Sequence, residues 1–131
     1  MKRTSQYLFV YGSLLDDANE FAVYLKKSCI FYSKGKFRGK LYDIGEYPGA
    51  IVEADSDVFV YGNIFILNDA EAVLEILDGY EGFGEDQPQP NEFIRVLLDI
   101  ETDDDPVRCR VYLYNLPVDG LRQIVSGNYR E

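Results

Sequence analysis

Near its start the chain contains the run Tyr7-Leu8-Phe9-Val10-Tyr11-Gly12-Ser13-Leu14-Leu15. Its first five residues are aromatic or aliphatic, which predicts a β-strand buried on both faces. Gly12 permits a turn that residues with a Cβ resist, and Ser13 adds a small polar group. The backbone N–H groups of this turn have no partner in a sheet. The turn is therefore either purely structural or a cradle for an anionic or carbonyl group of a small ligand.

The chain has 131 residues, of which 47% are hydrophobic and 15% aromatic. This length predicts a single domain over residues 1–131 with one core. No run of about 18 apolar residues occurs, which argues against a membrane span. The apolar stretch at the start is too short and too β-like for a signal peptide, so we expect a cytoplasmic protein without a membrane partner.

Composition narrows the chemistry that the chain can perform. Acidic residues outnumber basic ones by 23 to 13, and the absence of a basic patch argues against a nucleic-acid partner. There is no histidine, which excludes Ser-His-Asp and Cys-His catalysis. Cys29 and Cys109 lack partners at metal-ligand spacing and are expected in the core. We therefore expect no metal and no cofactor, and proton transfer by carboxylates, tyrosines or lysines.

Turn signals divide the rest of the chain into short strands and helices. The first predicted helix is capped at Asp16-Asp17 and runs to Leu25. It is followed by a strand-rich stretch 29–42 broken at Gly35 and Gly39, and then by a strand 58–67 with a bend or bulge at Gly62. A second helix is opened by a capping box at 68–71 and ended at Asp78-Gly79, and after it come a hairpin of 92–101 with 107–114 and a helical turn after Leu121. The acidic hairpin tip 99–105 lacks the glycine and distal glutamate of an EF-hand loop, which favours a solvated turn over a calcium site. Strands with apolar residues on both faces predict an α+β fold: a small mixed β-barrel of about six strands, closed or nearly closed, with a few short helices around it.

Glu81 is the strongest candidate for acid/base chemistry. It follows the second predicted helix and is flanked by Tyr80, Gly82 and Phe83, an aromatic setting that would raise its pKa. The alternative is an exposed loop glutamate, since most glutamates are exposed. Tyr112 lies on the hairpin, where packing in the core and contact with a ligand are both open. The polar loop 84–91 is either a mobile lid or a plain connection.

Two segments together, Tyr11-Gly12-Ser13-Leu14 and Leu77-Asp78-Gly79-Tyr80-Glu81-Gly82, resemble motifs of the γ-glutamylcyclotransferase-like superfamily, especially its AIG2-like branch. Each motif is short, and the specificity lies in the ordered set, which covers almost the whole chain. The further segments that resemble the family are Gly39-Lys40-Leu41-Tyr42, Tyr47-Pro48-Gly49-Ala50, Val60-Tyr61-Gly62-Asn63-Ile64-Phe65, Phe93-Ile94-Arg95-Val96, Val111-Tyr112 and Ser126-Gly127-Asn128-Tyr129.

The resemblance implies a six-stranded barrel with a cavity at the Tyr-Gly-Ser-Leu turn. It also implies an activity, the cyclisation of the γ-glutamyl group of a γ-glutamyl amine or amino acid to 5-oxoproline with release of the free amine. By match to the family, Glu81 is the catalytic general acid/base. The expected substrate-binding residues are Tyr11, Gly12, Ser13, Leu14 and Tyr112. The expected partner is a small γ-glutamyl substrate, and the oligomeric state stays open.

Departures from the family pattern concern the substrate. Phe93 stands where the family often has tyrosine, and Tyr129 replaces the usual final aromatic residue. Asp16-Asp17 occupy a place where many relatives carry a basic residue, which disfavours a strongly anionic substrate. Two alternatives to an enzyme follow from the sequence: a small-molecule-binding module without turnover, and an interaction protein with a collapsed pocket.

Overall fold

The computed structural model describes residues 6–11, 23–25, 27, 29–45, 48–81 and 83–127. The strands in this part of the chain are β1 (Tyr7–Val10), β2 (Cys29–Asp43), β3 (Pro48–Val52), β4 (Phe59–Leu67), β5 (Phe93–Ile100), β6 (Val107–Tyr114) and β7 (Arg122–Gln123). Helix α1 spans Ala70–Glu81, and residues 23–25 and 27 are also helical. Among these residues, no helix is both long and apolar enough to cross a bilayer.

The strands form one mixed sheet that curls on itself. Six strands follow the order β3-β2-β4-β1-β6-β5, and β7 pairs with β2 off this path. β1 runs parallel to β6 and antiparallel to β4. The end of β5 returns to the middle of β2, where Lys36 and Glu101 exchange two backbone hydrogen bonds of 3.0 and 2.9 Å. The predicted α+β class with a small mixed, nearly closed barrel is confirmed.

β1 is buried on both faces, as its sequence predicts. Side chains alternate across a strand, so Leu8 and Val10 face one way while Phe9 and Tyr11 face the other. Leu8 and Val10 belong to a core cluster that includes Leu77 of α1. Phe9 and Tyr11 belong to a second cluster within the curled sheet. Because β1 contributes to both clusters, its last residue lies where the helix and the sheet meet.

β2 is one continuous strand, so the prediction of breaks at Gly35 and Gly39 is wrong. Both glycines mark close approaches between strands: a Cβ on Gly39 would collide with the carbonyl oxygen of Ile51, and one on Gly35 with the side chain of Ile100. The irregularity in β2 lies between Phe31 and Ser33, where its register with β4 shifts. The β2–β4 pairing continues through Gly62, whose predicted bend is instead another close approach.

Helix α1 begins and ends later than predicted. The N-cap is Asp69, whose carboxylate accepts the N–H of Ala72 at 3.2 Å, in place of the predicted box starting at Asn68. The helix continues past Asp78 and Gly79, so Glu81 is its last residue rather than part of the following loop. In the tail, the predicted helical turn is wrong because Arg122–Gln123 pair with β2. Residues 16–22 of the first predicted helix lie outside the described residues.

The predicted hairpin of β5 and β6 is confirmed, with Phe93 opposite Tyr114 at one end and Ile100 opposite Val107 at the other. Both cysteines are buried, as expected of core residues. The acidic side chains of the hairpin tip, 103–105, are exposed.

Candidate active site

The hydroxyl group of Tyr11 joins β1 to two other strands. It donates a hydrogen bond of 2.6 Å to the carbonyl oxygen of Tyr112 in β6. It accepts one of 3.2 Å from the N–H of Ala50 in β3. Burial and the negative charge of Glu81 raise the pKa of the Tyr11 phenol well above its usual range, despite the opposing bond from Ala50. The hydroxyl therefore keeps its proton, and that proton is committed to the main chain.

Glu81 lies at the end of α1, close enough for its charge to act on Tyr11. Its side chain is partly buried, and this burial together with the charge of Glu92 raises its pKa to about 8 from the ordinary 4.5. A carboxyl group with such a pKa holds its proton through much of the neutral range and can both accept and donate it near pH 8. The end of the helix and the end of β1 thus place a partly buried carboxyl group with a raised pKa beside Tyr11.

Asp78, one turn before Glu81, is held by groups from both strands of the hairpin. The hydroxyl of Tyr112 donates to Asp78 Oδ1 at 2.6 Å. Nη1 of Arg95 lies 2.7 Å from each of the two carboxylate oxygens. Burial and the contact with Asp78 raise the pKa of Tyr112. A connected series of hydrogen bonds therefore runs from Tyr11 through the main chain and side chain of Tyr112 to Asp78 and Arg95.

The segment after α1 is tied back to the helix and to the hairpin. The N–H of Phe83 donates to the carbonyl of Asp78 at 2.9 Å, which closes the helix end. The side-chain amide of Asn91 accepts the N–H of Gly84 at 3.1 Å and donates to its carbonyl at 3.0 Å. Asn115 in turn donates to the carbonyl of Asn91 at 2.9 Å. These bonds favour the connecting role for loop 84–91 over the mobile lid.

The structure brings Glu81, Tyr11 and Tyr112 together, although they come from a helix and two strands. The rest of the expected cradle, Gly12, Ser13 and Leu14, lies outside the described residues. Sequence reasoning missed the roles of Asp78, Arg95 and Glu92. The i, i+3 spacing of Asp78 and Glu81 was an available signal, because such residues share one face of a helix.

The structure also places Phe93, one of the departures from the family pattern. Tyr114 packs edge-on against Phe93, with ring centroids 5.5 Å apart, and a Cβ on Gly49 would lie 2.9 Å from its ring. The aromatic ring at position 93 thus serves packing. In the described part of the chain, no three acidic, cysteine or histidine side chains are grouped so that they could hold a metal ion.

The raised pKa of Glu81 predicts a pH-dependent stability. Between pH 4.5 and about 8 the unfolded chain loses this proton while the folded chain keeps it, so the free energy of unfolding falls as pH rises. Glu81→Gln removes this cost. We expect its stability relative to the native protein to increase by roughly 1–3 kcal/mol between pH 5 and pH 8.5, a range that allows for the partial exposure of the side chain.

Denaturant unfolding at several pH values measures this difference. Glu75→Gln is the matched control, since Glu75 lies on the same helix but is exposed. A stability difference between Glu81→Gln and the native protein that does not change with pH would contradict the assigned environment of Glu81.

Comparison with a family model identifies the family, and comparison with solved structures supports the fold. A family model described as γ-glutamyl cyclotransferase, AIG2-like, matches residues 8–131. An AIG2-like protein from Mus musculus superposes with a TM-score of 0.73 at 20% identity, over 97% of this chain and 89% of that one. The protein ytfP from Escherichia coli gives 0.66 at 27% identity, over 94% and 95%.

YkqA from Bacillus subtilis gives a TM-score of 0.70 at 23% identity; the match takes in 97% of this chain but only 40% of YkqA, which is a much longer protein. No curated protein sequence is significantly similar. Because the family model spans nearly the whole sequence, the chain belongs to the γ-glutamyl cyclotransferase family, AIG2-like.

Proposed function

We propose that the protein converts a γ-glutamyl amine or γ-glutamyl amino acid to 5-oxoproline and the free amine, with Glu81 as general acid/base. The observation that carries this proposal is the placement of a carboxyl group with a pKa of about 8 beside the end of β1. Family membership supports the reaction type.

The reaction exchanges one amide bond for another within the substrate. The α-ammonium group first gives a proton to the Glu81 carboxylate. The α-nitrogen then attacks the γ-carbonyl carbon, and the new C–N bond closes the five-membered lactam. As the tetrahedral intermediate collapses, the old C–N bond breaks and the leaving nitrogen takes the proton back from Glu81. The ring nitrogen gives its second proton to the regenerated Glu81 carboxylate, which passes it to the released amine, so the products are the neutral lactam and an ammonium ion. No enzyme nucleophile and no water are consumed, which is consistent with a chain that has no histidine.

The pKa of Glu81 suits this proton exchange. An α-ammonium group has a pKa of about 8, so an ordinary carboxylate would accept its proton at a cost of about 5 kcal/mol. With a pKa of about 8, Glu81 accepts it at almost no cost. Holding the glutamyl chain folded adds a proximity contribution of roughly 7–11 kcal/mol in favourable cases. The substrate amine and Glu81 share one transferable proton in this mechanism. At low pH both groups are protonated and at high pH both are deprotonated, so kcat/KM should fall on both sides of the optimum.

The residues that follow β1 are proposed to bind the oxygen atoms of the γ-glutamyl group. The N–H groups of Gly12, Ser13 and Leu14, where the sequence predicts a turn, would bind either the α-carboxylate or the developing oxyanion. Tyr11 and Tyr112 donate their hydroxyl protons within the protein, so their part in the site is to shape and position it.

A product assay tests the function. The protein is incubated with a panel of γ-glutamyl amines and γ-glutamyl dipeptides, and 5-oxoproline and free amine are quantified. We expect equal amounts of both from at least one compound, with kcat/KM falling below about pH 8. Absence of product from every compound would contradict the proposal. A compound that raises the melting temperature without being consumed would identify binding without turnover.

A further inference from the structure

We propose that Arg95 is a positioning residue for Glu81: by gripping Asp78 it fixes the last turn of α1 and so the place of the acid/base carboxyl. The inference deepens the proposed function and rests on it for its catalytic consequence. Its structural and electrostatic part concerns Glu81 alone and can be tested without any turnover.

The Asp78 carboxylate is bound by side chains from two strands. Arg95 and Tyr112 are directly opposite each other on β5 and β6, and both reach Asp78. Three contacts of 2.6 to 2.7 Å therefore join one carboxylate to two strands. Bonds of this length between charged partners are stronger than neutral ones. The side chains of Arg95 and Asp78 are only 25% and 24% exposed, so water competes little for them.

Glu81 lies inside the segment that this contact secures. Asp78 and Glu81 are three residues apart in α1 and share one face of the helix. The carbonyl of Asp78 also accepts the N–H of Phe83, so the backbone around Glu81 is closed on both sides. The guanidinium of Arg95 lies 5.7 Å from the centroid of the Phe83 ring. Arg95 thus contacts Asp78, three residues before Glu81, and Phe83, two residues after it.

Arg95 also pairs with the Asp78 carboxylate, which lies one turn before Glu81 on the same helix. Among the described residues, the charged and titratable groups of this region are Tyr11, Asp78, Glu92, Arg95, Arg110, Tyr112 and Tyr114. Without Arg95, the Asp78 carboxylate loses its nearest cation while lying one turn from Glu81. Two like charges at this spacing disfavour each other's ionised form. The proton on Glu81 would then be held more tightly.

A second ion pair of the same hairpin provides the control. Arg108 on β6 lies 3.1 Å from Asp99 on β5, but these side chains are 59% and 66% exposed. Exposed pairs contribute little and are screened by salt. Arg108→Met therefore removes an arginine–aspartate pair from the same two strands, at a different point of the ladder from Arg95 and Tyr112.

The experiment measures the titration of Glu81 by the carbon-13 signal of its side-chain carboxyl, assigned by its loss in Glu81→Gln. In Arg95→Met we expect the midpoint to rise by about 0.5–1 pH unit. Arg95→Lys retains the cation and should stay close to the native midpoint. In Asp78→Asn/Arg95→Met both charges are gone, so the midpoint should return to within about 0.3 units of the native one. Arg108→Met should not shift it.

Kinetics with a substrate found by the panel assay separate positioning from charge. Because Arg95 touches Asp78 rather than the substrate, kcat should fall roughly 100-fold in Arg95→Met with KM changed less than about threefold. The double variant should recover the Glu81 midpoint but not kcat, and Arg95→Lys should recover both. If Arg95→Met does not fold, the difference in kcat between Arg95→Lys and the double variant tests the positioning role.

The inference is overturned if the Glu81 midpoint in folded Arg95→Met equals the native one, or if kcat is unchanged there. It fails separately from the proposed function. If no γ-glutamyl compound is turned over, the titrations alone still decide whether Arg95 controls the pKa of Glu81. If the protein is active but the Glu81 midpoint does not move in Arg95→Met, the positioning role of Arg95 is rejected and the proposed cyclotransferase activity stands.

Discussion

Glu81→Gln is expected to lower kcat at pH 8 by roughly 100- to 10,000-fold, the range that a positioned general acid/base contributes. Glutamine has nearly the same shape but can neither accept the proton of the α-ammonium group nor return it to the leaving amine. Substrate binding should change little, because the proton transfers occur after binding. The measurement is 5-oxoproline formation under saturating substrate, with KM determined in parallel.

Loss of folding cannot account for such a result. Glu81 becomes costly to ionise when buried, so the neutral glutamine should leave the protein at least as stable at pH 8. Glu75→Gln, on the exposed side of α1, should keep full activity. Full activity in Glu81→Gln would remove Glu81 from the mechanism and would leave family membership as the support for the reaction.

Gly62→Ala is expected to destabilise the fold by about 2–4 kcal/mol, a large part of the stability of a domain of this size. A Cβ on Gly62 would overlap the carbonyl oxygen of Val10 and would lie 2.8 Å from the ring of Phe9. Backbone cannot rotate away as a flexible side chain can, so β1 would have to move off β4. Because Tyr11 follows Val10, the same movement would disturb the hydrogen bonds of its hydroxyl.

Gly79→Ala is the matched control within the same chain. A Cβ on Gly79 would meet no atom within 4 Å beyond its own helix, so alanine should stabilise the protein by roughly 0.5–1 kcal/mol. Chemical denaturation followed by circular dichroism measures both variants. Equal stability of Gly62→Ala and the native protein would contradict the close approach of β1 to β4.

The elements that local pattern could predict are those whose cause is local. The aromatic and aliphatic run of β1, and the alternation of apolar and polar residues in β5 and β6, can each be seen within a few consecutive residues. These strands are predicted correctly. Gly35 and Gly39 resemble strand breakers by the same local criteria. Their actual cause is distant in sequence, since each makes room for another strand of the curled sheet. No window of neighbouring residues contains that information.

The candidate site divides in the same way. Glu81 could be singled out from its aromatic neighbours, and family resemblance supplied its role. Arg95 and Asp78 are 17 positions apart and on different elements, so their contact depends on how α1 packs against the hairpin. The end of α1 is also predicted too early, because a glycine such as Gly79 is typical of a helix end. In the structure the helix continues to Glu81, and the N–H of Phe83 donates to the carbonyl of Asp78 beyond it. Tertiary contacts override a helix terminator here.

The single oxygen atom of the Tyr11 side chain serves two main-chain partners on strands that do not pair with each other. Removing this oxygen would leave both main-chain groups without their partner, so any change at position 11 would first require rebuilding the junction of three strands. Divergence in specificity has far more freedom elsewhere, in segments whose side chains do not join the sheet together. Under the proposed function, the placement of Tyr11 is inherited with the fold, while the choice of leaving group can vary around it.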